Sequence, residues 1–352
     1  MIAKDIPKNE AEFHNQLGTE EACREYLLAL RWPNGFVCPR CNHDKGYPLK
    51  NREKWECASC KYHCSIRAGT VMQGSKKPLV MWFAAIYYMM ESKQGFSALG
   101  LKRRLSLGSY QTAWTWFQKI RDYLKPDSEP IMGRVEFDEI NLGGSAKNTG
   151  IAGRGSSKKL LVGCIVECRG RASGRVRMKL FKTGHGKNIL SFVRDNVAKG
   201  SVIHCDGGRS FIQLSREGYF VDTFKADDKK ALGRHLPRIY RIGGLIKRVI
   251  NGTHMGAVAP WRLEKYFDEY VFRFERKSAA SRFELFFDVL KRIIQHPCRT
   301  CRQIFADREE GAAGYVNVTG QAKGRKPSQK EPQWWKDLLP KNPWPSPRGV
   351  LG

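Results

Sequence analysis

Two short cysteine pairs limit the fold of this chain more than any other feature. Cys38-Pro39-Arg40-Cys41 and Cys57-Ala58-Ser59-Cys60 are separated by fifteen residues. A C-x2-C segment is a tight turn that aims two thiolates at one point, and two such turns supply the four soft ligands of a tetrahedral zinc ion. The spacing predicts a zinc ribbon with Cys38, Cys41, Cys57 and Cys60 as ligands of a structural Zn2+. Short strands are expected at Tyr47-Pro48-Leu49 and Lys54-Trp55-Glu56 between the knuckles. Cys64 falls outside the pairing and reads as a buried thiol. Cys298-Arg299-Thr300-Cys301 has no second knuckle and reads as unpaired thiols. Arg40, Lys45, Lys50, Arg52, Lys54 and Lys61 give the ribbon a basic face, which suits DNA contact and plain solvation equally.

Helical patterns flank the ribbon. Residues 9–31 read as a helix, with Thr19-Glu20-Glu21-Ala22 resembling a capped first turn and Cys23, Tyr26, Leu27 and Leu30 forming one apolar stripe. After Pro78, Leu79 to Met90 reads as a helix buried on most sides. Ser97 to Leu105 is a short helix, Leu107-Gly108-Ser109 a turn, and Tyr110 to Tyr123 a second helix with Ala113, Trp116 or Phe117, and Ile120 inward. Two short helices about a glycine turn fit helix-turn-helix, and a plain helical hairpin has the same pattern. On the DNA-reading alternative, the exposed face of the second helix offers Gln111, Thr112, Thr115 and Lys119 to a groove.

The charge balance favours that alternative. Lys and Arg number 62 against 34 Asp and Glu, a net charge of +28 spread along the chain. Such an excess fits a polyanionic partner, above all nucleic acid. The most apolar run is too short to span a membrane, and Met1-Ile2-Ala3-Lys4-Asp5-Ile6 lacks a signal-peptide core. The expectation is a cytoplasmic, nucleoid-associated protein with no membrane contact.

Pro126-Asp127-Ser128-Glu129-Pro130 marks a boundary. Beyond it, Val135 to Ile140 alternates apolar and polar residues, the period of a strand, and ends at Gly143-Gly144. Asp138 thus lies inside a strand, where a carboxylate is out of place unless paired or bound to something. Ser201 to Cys205 is a second short strand that runs into Asp206-Gly207-Gly208. Two carboxylates at the ends of neighbouring strands can hold divalent metal ions for phosphoryl chemistry. Strands at 160–168 and 175–182, helices at 187–199 and 210–216, a strand at 219–224 and a helix from Leu236-Pro237 through Arg248 complete the order. Three strands, helix, strand, helix, strand, helix is, by fold analogy, the ribonuclease H-like order, in which the first and fourth strands lie side by side. On the last helix Tyr240, Gly243, Gly244 and Lys247 share a face. Further helices are expected at 263–276 and 281–295. A Gly-, Ser- and Lys-rich loop with Arg154, Lys158 and Lys159 follows Gly143, and residues 305–352 read as a disordered basic tail.

These residues resemble a family. Leu30-Arg31-Trp32-Pro33-Asn34-Gly35-Phe36-Val37-Cys38-Pro39-Arg40-Cys41, Gly95-Phe96-Ser97-Ala98-Leu99, Phe137-Asp138-Glu139, Cys205-Asp206-Gly207, Gly252-Thr253-His254 and Asp268 to Phe274 are similar to stretches of bacterial insertion-sequence transposases. Those proteins have an N-terminal transposase zinc ribbon and a DDE-type catalytic domain. The resemblance implies an α/β ribonuclease H-like catalytic domain, a mixed five-stranded sheet flanked by helices, over 131–296. Ahead of it come a helix and zinc ribbon over 9–70 and a helix-turn-helix-like module over 76–125. It implies DNA strand cleavage and transfer at terminal inverted repeats, with Asp138 and Asp206 as catalytic ligands of Mg2+ (or Mn2+) and Lys247 as a phosphate contact. The partners implied are double-stranded terminal-repeat and target DNA and further copies of the chain on DNA. Where relatives place Glu or another polar ligand this chain has Tyr240, and where Asn commonly follows the Arg-Phe pair it has Glu275. The alternative is a catalytically inactive relative that acts as a DNA-binding regulator.

Overall fold

The computed structural model describes residues 7, 9–49, 53–142, 160–181, 186–206, 210–224, 233–256, 258–279, 281–295, 299–300 and 303–304. Lys50, Arg52, Gly143-Gly144, the loop with Arg154, Lys158 and Lys159, Gly207-Gly208, Cys298, Cys301 and the tail from 305 lie outside the described residues.

The N-terminal helical region is two helices, α1 (Glu10–Leu17) and α2 (Glu20–Arg31), where the sequence suggested one. Each has its own cap: Asn9 accepts from the Glu12 amide and Thr19 from the Ala22 amide, so the chain restarts after Gly18. The ribbon follows as three antiparallel strands, β1 (Gly46–Leu49), β2 (Lys54–Cys57) and β3 (His63–Ser65). The third strand was not legible as one, being only three residues long; it carries the buried Cys64 beside Trp55.

Next come α3 (Leu79–Glu91), α4 (Ala98–Arg104) and α5 (Tyr110–Arg121). Ser97 and Ser109 cap α4 and α5 with their own hydroxyls. Helix α3 begins at Pro78 with no side-chain cap of its own. Its first amides, Leu79 and Val80, donate instead to the Glu20 carboxylate of α2, at 2.8 and 3.1 Å.

The second half of the chain is built on a mixed sheet of β4 (Arg134–Leu142), β5 (Leu160–Arg169), β6 (Ala172–Phe181), β7 (Val202–Cys205) and β8 (Phe220–Thr223). The strand order is β6-β5-β4-β7-β8, with β4, β5 and β6 antiparallel and β4, β7 and β8 parallel. Helices α6 (Gly186–Asn196) and α7 (Ser210–Arg216) cover one face. Val135, Phe137, Ile165 and Phe181 meet Leu190, Phe192, Phe211 and Leu214 there. The other face is covered by α8 (Pro237–Arg248) and α9 (Leu263–Glu275), through Ile140, Val162 and Val166 against Ile239, Ile242, Phe267 and Val271. Burying these two apolar faces is what fixes the register, because a one-residue slip would turn every strand inside out.

Edge strand β6 is closed by carboxylates. Glu264 of α9 accepts from the Leu180 amide at 3.1 Å and Glu275 from the Val176 amide at 2.8 Å. Glu275 also pairs at 3.2 Å with Arg177, whose other end donates to the Asp127 carbonyl of the linker. The residue that departs from the family's Asn therefore holds the sheet edge and the linker together.

Helix α10 (Arg282–Gln295) does not pack on the sheet with the rest of the 131–296 unit expected from the sequence. Its Phe283, Phe286, Leu290 and Ile293 join Phe13, Leu27, Trp82, Phe83 and Phe117 in the N-terminal core. Within that core Trp82 and Trp116 stack at 3.9 Å.

The expected DNA-reading face of α5 is corrected by this packing. Thr115 and Lys119 are buried, and the Lys119 ammonium donates to the Val71 carbonyl at 3.4 Å. Helix α5 is held between α3 and α9, which leaves only its N-terminal turn, with Gln111 and Thr112 half-exposed, near solvent.

Candidate active site and metal centre

The two cysteine knuckles fold alike. Asn42 donates to the Cys38 carbonyl at 2.9 Å and Lys61 to the Cys57 carbonyl at 3.1 Å. Both Asn42 and Lys61 have positive φ, 58° and 56°, so each turn closes just after its second cysteine. The Cys38 and Cys60 sulfurs stand 3.6 Å apart, as do those of Cys41 and Cys57, and all four lie within 4.8 Å of one another. Sulfurs bound to one zinc at about 2.3 Å in a tetrahedron would be about 3.8 Å apart, so the cluster fits the ion. Burial works to raise the Cys38 thiol, yet the Arg40 and Cys41 amides and the neighbouring sulfurs bring it down to about 6, while the Cys41 thiol, against the pull of the His43 amide, is pushed up to about 12 by the same sulfurs, so the proton is shared unevenly within the cluster. Phe36, Trp32 and Trp55 shield the cluster from one side, with Phe36 and Trp55 stacked at 5.5 Å.

The carboxylates lie on the α8 face of the large sheet. Strand β4 pairs with β7 in parallel register, Arg134 beside Val202 and Glu136 beside His204. The paired register ends at Glu136 and His204; Asp138 lies two residues further along β4, and Asp206 two residues past His204, just beyond the end of β7. Both are half-buried. On the other side Asp138 pairs with Cys164 of β5. Burial, then the charges of Asp138 and Glu136, push the Cys164 thiol far up, so it stays protonated beside the pair. One Asp138 oxygen accepts from the Glu139 amide at 2.7 Å.

Glu136, two residues before Asp138 on the same face, went unnoticed in the sequence. Its buried carboxylate accepts from the Arg238 and Ile239 amides at 2.8 and 3.0 Å and pairs with the Arg238 guanidinium at 2.6 Å. Helix α8 starts at Pro237 without a side-chain cap of its own, so Glu136 is its cap. The signal was the alternation itself: Glu136 and Asp138 share one face of β4.

Arg238 also reaches the Gly170 and Ala172 carbonyls, over the β5–β6 turn. Tyr240 is some 200° away round the helix. Tyr240, Gly244 and Lys247 therefore lie on the flank of α8 away from Arg238. Lys247 is exposed, and Tyr240 is 45% exposed, its ring edge against the Gly233 backbone. His204 bonds to Asp222 at 2.9 Å, Arg134 bonds to the same Asp222 oxygen at 3.0 Å, and His235 stacks on Phe224 at 4.3 Å.

The structure thus brings the four ribbon cysteines together, and it pairs the strand of Asp138 with the strand that leads into Asp206, with Lys247 on α8. It does not bring Gln111 and Thr112 to either place. Among the described residues no helix is long and apolar enough to cross a membrane.

Sheet order and thiolate cluster together define the class: a ribonuclease H-like domain behind an N-terminal zinc ribbon. The chain matches the transposase zinc-ribbon domain family over residues 18–63 and the ISXO2-like transposase domain family over residues 130–275, and it belongs to the insertion-sequence transposases. No curated protein matches it.

Proposed function

We propose that this chain binds the terminal inverted repeats of its mobile element, cuts the element's 3′ ends and joins them to target DNA. The reading is supported by one observation: β4, which carries Asp138, pairs in parallel with β7, which leads directly into Asp206, and both carboxylates are half-buried. Two adjacent carboxylates are hard oxygen donors and suit Mg2+ or Mn2+. When bound there, the metal lowers the pKa of an attacking water and stabilises the leaving oxygen. Asp138 and Asp206 hold the scissile phosphate's surroundings fixed from two strands at once, which is the positioning that in-line displacement requires. Lys247, on the flank of α8 away from Arg238, contacts a phosphate of the end held in place. The freed 3′ hydroxyl then attacks a phosphodiester of target DNA held at the same site, forming a new P–O bond as the bond to the target strand's 3′ oxygen breaks and that oxygen leaves as a hydroxyl, with no covalent protein–DNA intermediate.

The four cysteines hold a structural Zn2+. The +28 net charge supplies the salt-dependent part of binding to double-stranded DNA, and copies of the chain assemble on the paired ends within a nucleoid-associated complex in the cytoplasm. A second reading, DNA binding without cleavage, is favoured by Tyr240, since a protonated phenol is a poor ligand for a hard divalent cation. Incubating the purified protein with labelled duplexes carrying the inverted repeats, with Mg2+ or Mn2+, separates the two: 3′-end nicking supports the first, and binding without nicking supports the second.

A further inference from the structure

Three stretches marked by the family resemblance carry no chemistry of their own: Gly95 to Leu99, Gly252-Thr253-His254, and Asp268 to Phe274. In the structure they meet in one buried joint. Helix α8 runs on into a π-helical segment, Val249–Thr253, whose last residue donates from its hydroxyl to the Gln94 carbonyl at 2.9 Å. Gln94 belongs to the turn between α3 and α4. The next residue, Gly95, has φ +81°, and a Cβ there would sit 3.0 to 3.1 Å from the Arg273 guanidinium and the Glu269 carboxylate. Any larger residue at 95 thus meets both backbone strain and a charged hub.

That hub is Glu269 between two arginines. Arg121 of α5 approaches it at 2.6 Å, and Arg273 binds it from the next turn of α9 while donating to the Met89 carbonyl of α3 at 3.2 Å. All three side chains are almost fully buried. Arg121 also lies 3.8 Å over the Tyr266 ring, against which His254 packs edge-on at 4.7 Å. Burial works to raise the Glu269 carboxyl, but Arg273, Arg121 and His254 bring it down to about 2, so the hub stays charged. Removing Glu269 would leave two buried arginines without their carboxylate, and removing either arginine would leave Glu269 with one partner, which is why such hubs hold one geometry.

Helix α8 is therefore fixed at both ends by different parts of the molecule. Glu136 of the Asp138 strand holds its start, and the helical module holds its end through Gln94, Gly95 and the hub. We propose that Thr253 and Gly95 are positioning residues that lock the end of α8 to the helical module and so set where α8 stands over Asp138 and Asp206. This inference rests on reading Asp138 and Asp206 as the cleaving pair.

The test uses full-length Gly95→Ala, Thr253→Val and Thr253→Ser proteins. Three quantities are measured: amide hydrogen exchange over residues 237–253, affinity for a labelled inverted-repeat duplex, and single-turnover nicking in Mn2+. Gly95→Ala and Thr253→Val should speed exchange across 237–253 and slow nicking by about 10- to 100-fold, with end affinity retained. Thr253→Ser keeps the hydroxyl and should behave like the parent. Should Gly95→Ala fail to fold, Thr253→Val, which deletes one hydrogen bond, carries the test alone. Unchanged exchange in 237–253, or unchanged nicking, overturns the proposal. If Asp138→Ala and Asp206→Ala nick normally, the reading of the cleaving pair falls, while hydrogen exchange still decides the joint.

Discussion

Glu136 and Asp138 stand two residues apart on one face of β4 and divide the work of that face. Glu136 commits both oxygens to the first amides and the Arg238 side chain of α8. Asp138 is further along the same face, on the strand beside the one that leads into Asp206. The carboxylate that anchors the helix is thereby separate from Asp138, so the two can be tested apart. Glu136→Ala leaves the Arg238 and Ile239 amides without their acceptor and the Arg238 guanidinium without its carboxylate, and should cost about 3 kcal/mol in urea unfolding. A loss below about 0.5 kcal/mol, the level of an ordinary surface change, would mean that Glu136 is not the cap.

The ribbon gives a metal prediction. Wild-type protein should contain one zinc per chain, and the Cys38→Ser, Cys57→Ser double variant none, with the circular dichroism and proteolysis pattern of an unfolded ribbon. Zinc-free wild-type protein with an intact ribbon would refute the assignment of the four sulfurs.

Lys119 separates burial from DNA binding. Its ammonium donates to the Val71 carbonyl inside the fold. Lys119→Met should therefore lower stability while leaving the slope of log affinity against log salt unchanged. A lysine that neutralises one phosphate of duplex DNA contributes about 0.9 to that slope. A reduction of that size in the variant would place Lys119 on DNA.

Two half-buried groups make stability depend on pH in opposite directions. Burial, against the pull of Lys265, raises the Asp268 carboxyl from 3.8 to about 7. The fold favours its neutral form, so its contribution is full below pH 3.8 and is lost as pH rises toward 7. Burial and Arg121 lower His254 from 6.5 to about 4, so its contribution is full above pH 6.5 and is lost as pH falls toward 4. Melting temperatures from pH 4 to 8 should show Asp268→Asn gaining on the parent as pH rises, and His254→Asn gaining as pH falls. Parallel melting curves for parent and variant would show that these groups do not titrate with folding.

Much of this architecture was legible in the sequence, and the reasons are physical. Knuckle spacing located the thiolate cluster because four ligands at one point leave few alternatives. The alternation through Phe137-Asp138-Glu139 and the run into Cys205-Asp206 located both strands, and the element order put them side by side. Long-range polar contacts left no local trace. Glu20 caps α3 from 59 residues away, Glu136 caps α8 from 102, and Glu275 closes β6 from 99. Periodicity also misjudged α5: Thr115 and Lys119 looked solvent-facing because the sequence gives no sign that α9 packs on that side. Tertiary packing, not propensity, decided which face of that helix is open.

The central claim is that Asp138 and Asp206 form one metal-dependent cleaving site. The most direct measurement incubates wild type, Asp138→Ala and Asp206→Ala with 3′-labelled inverted-repeat duplexes and Mg2+ or Mn2+, scoring nicks and duplex binding in the same samples. Wild type should nick at the 3′ ends only when the metal is present, and each alanine variant should lose nicking by at least about 1,000-fold while binding the duplex like the parent. Nicking that survives in either variant, or that proceeds in wild type with all divalent metal chelated, would contradict it.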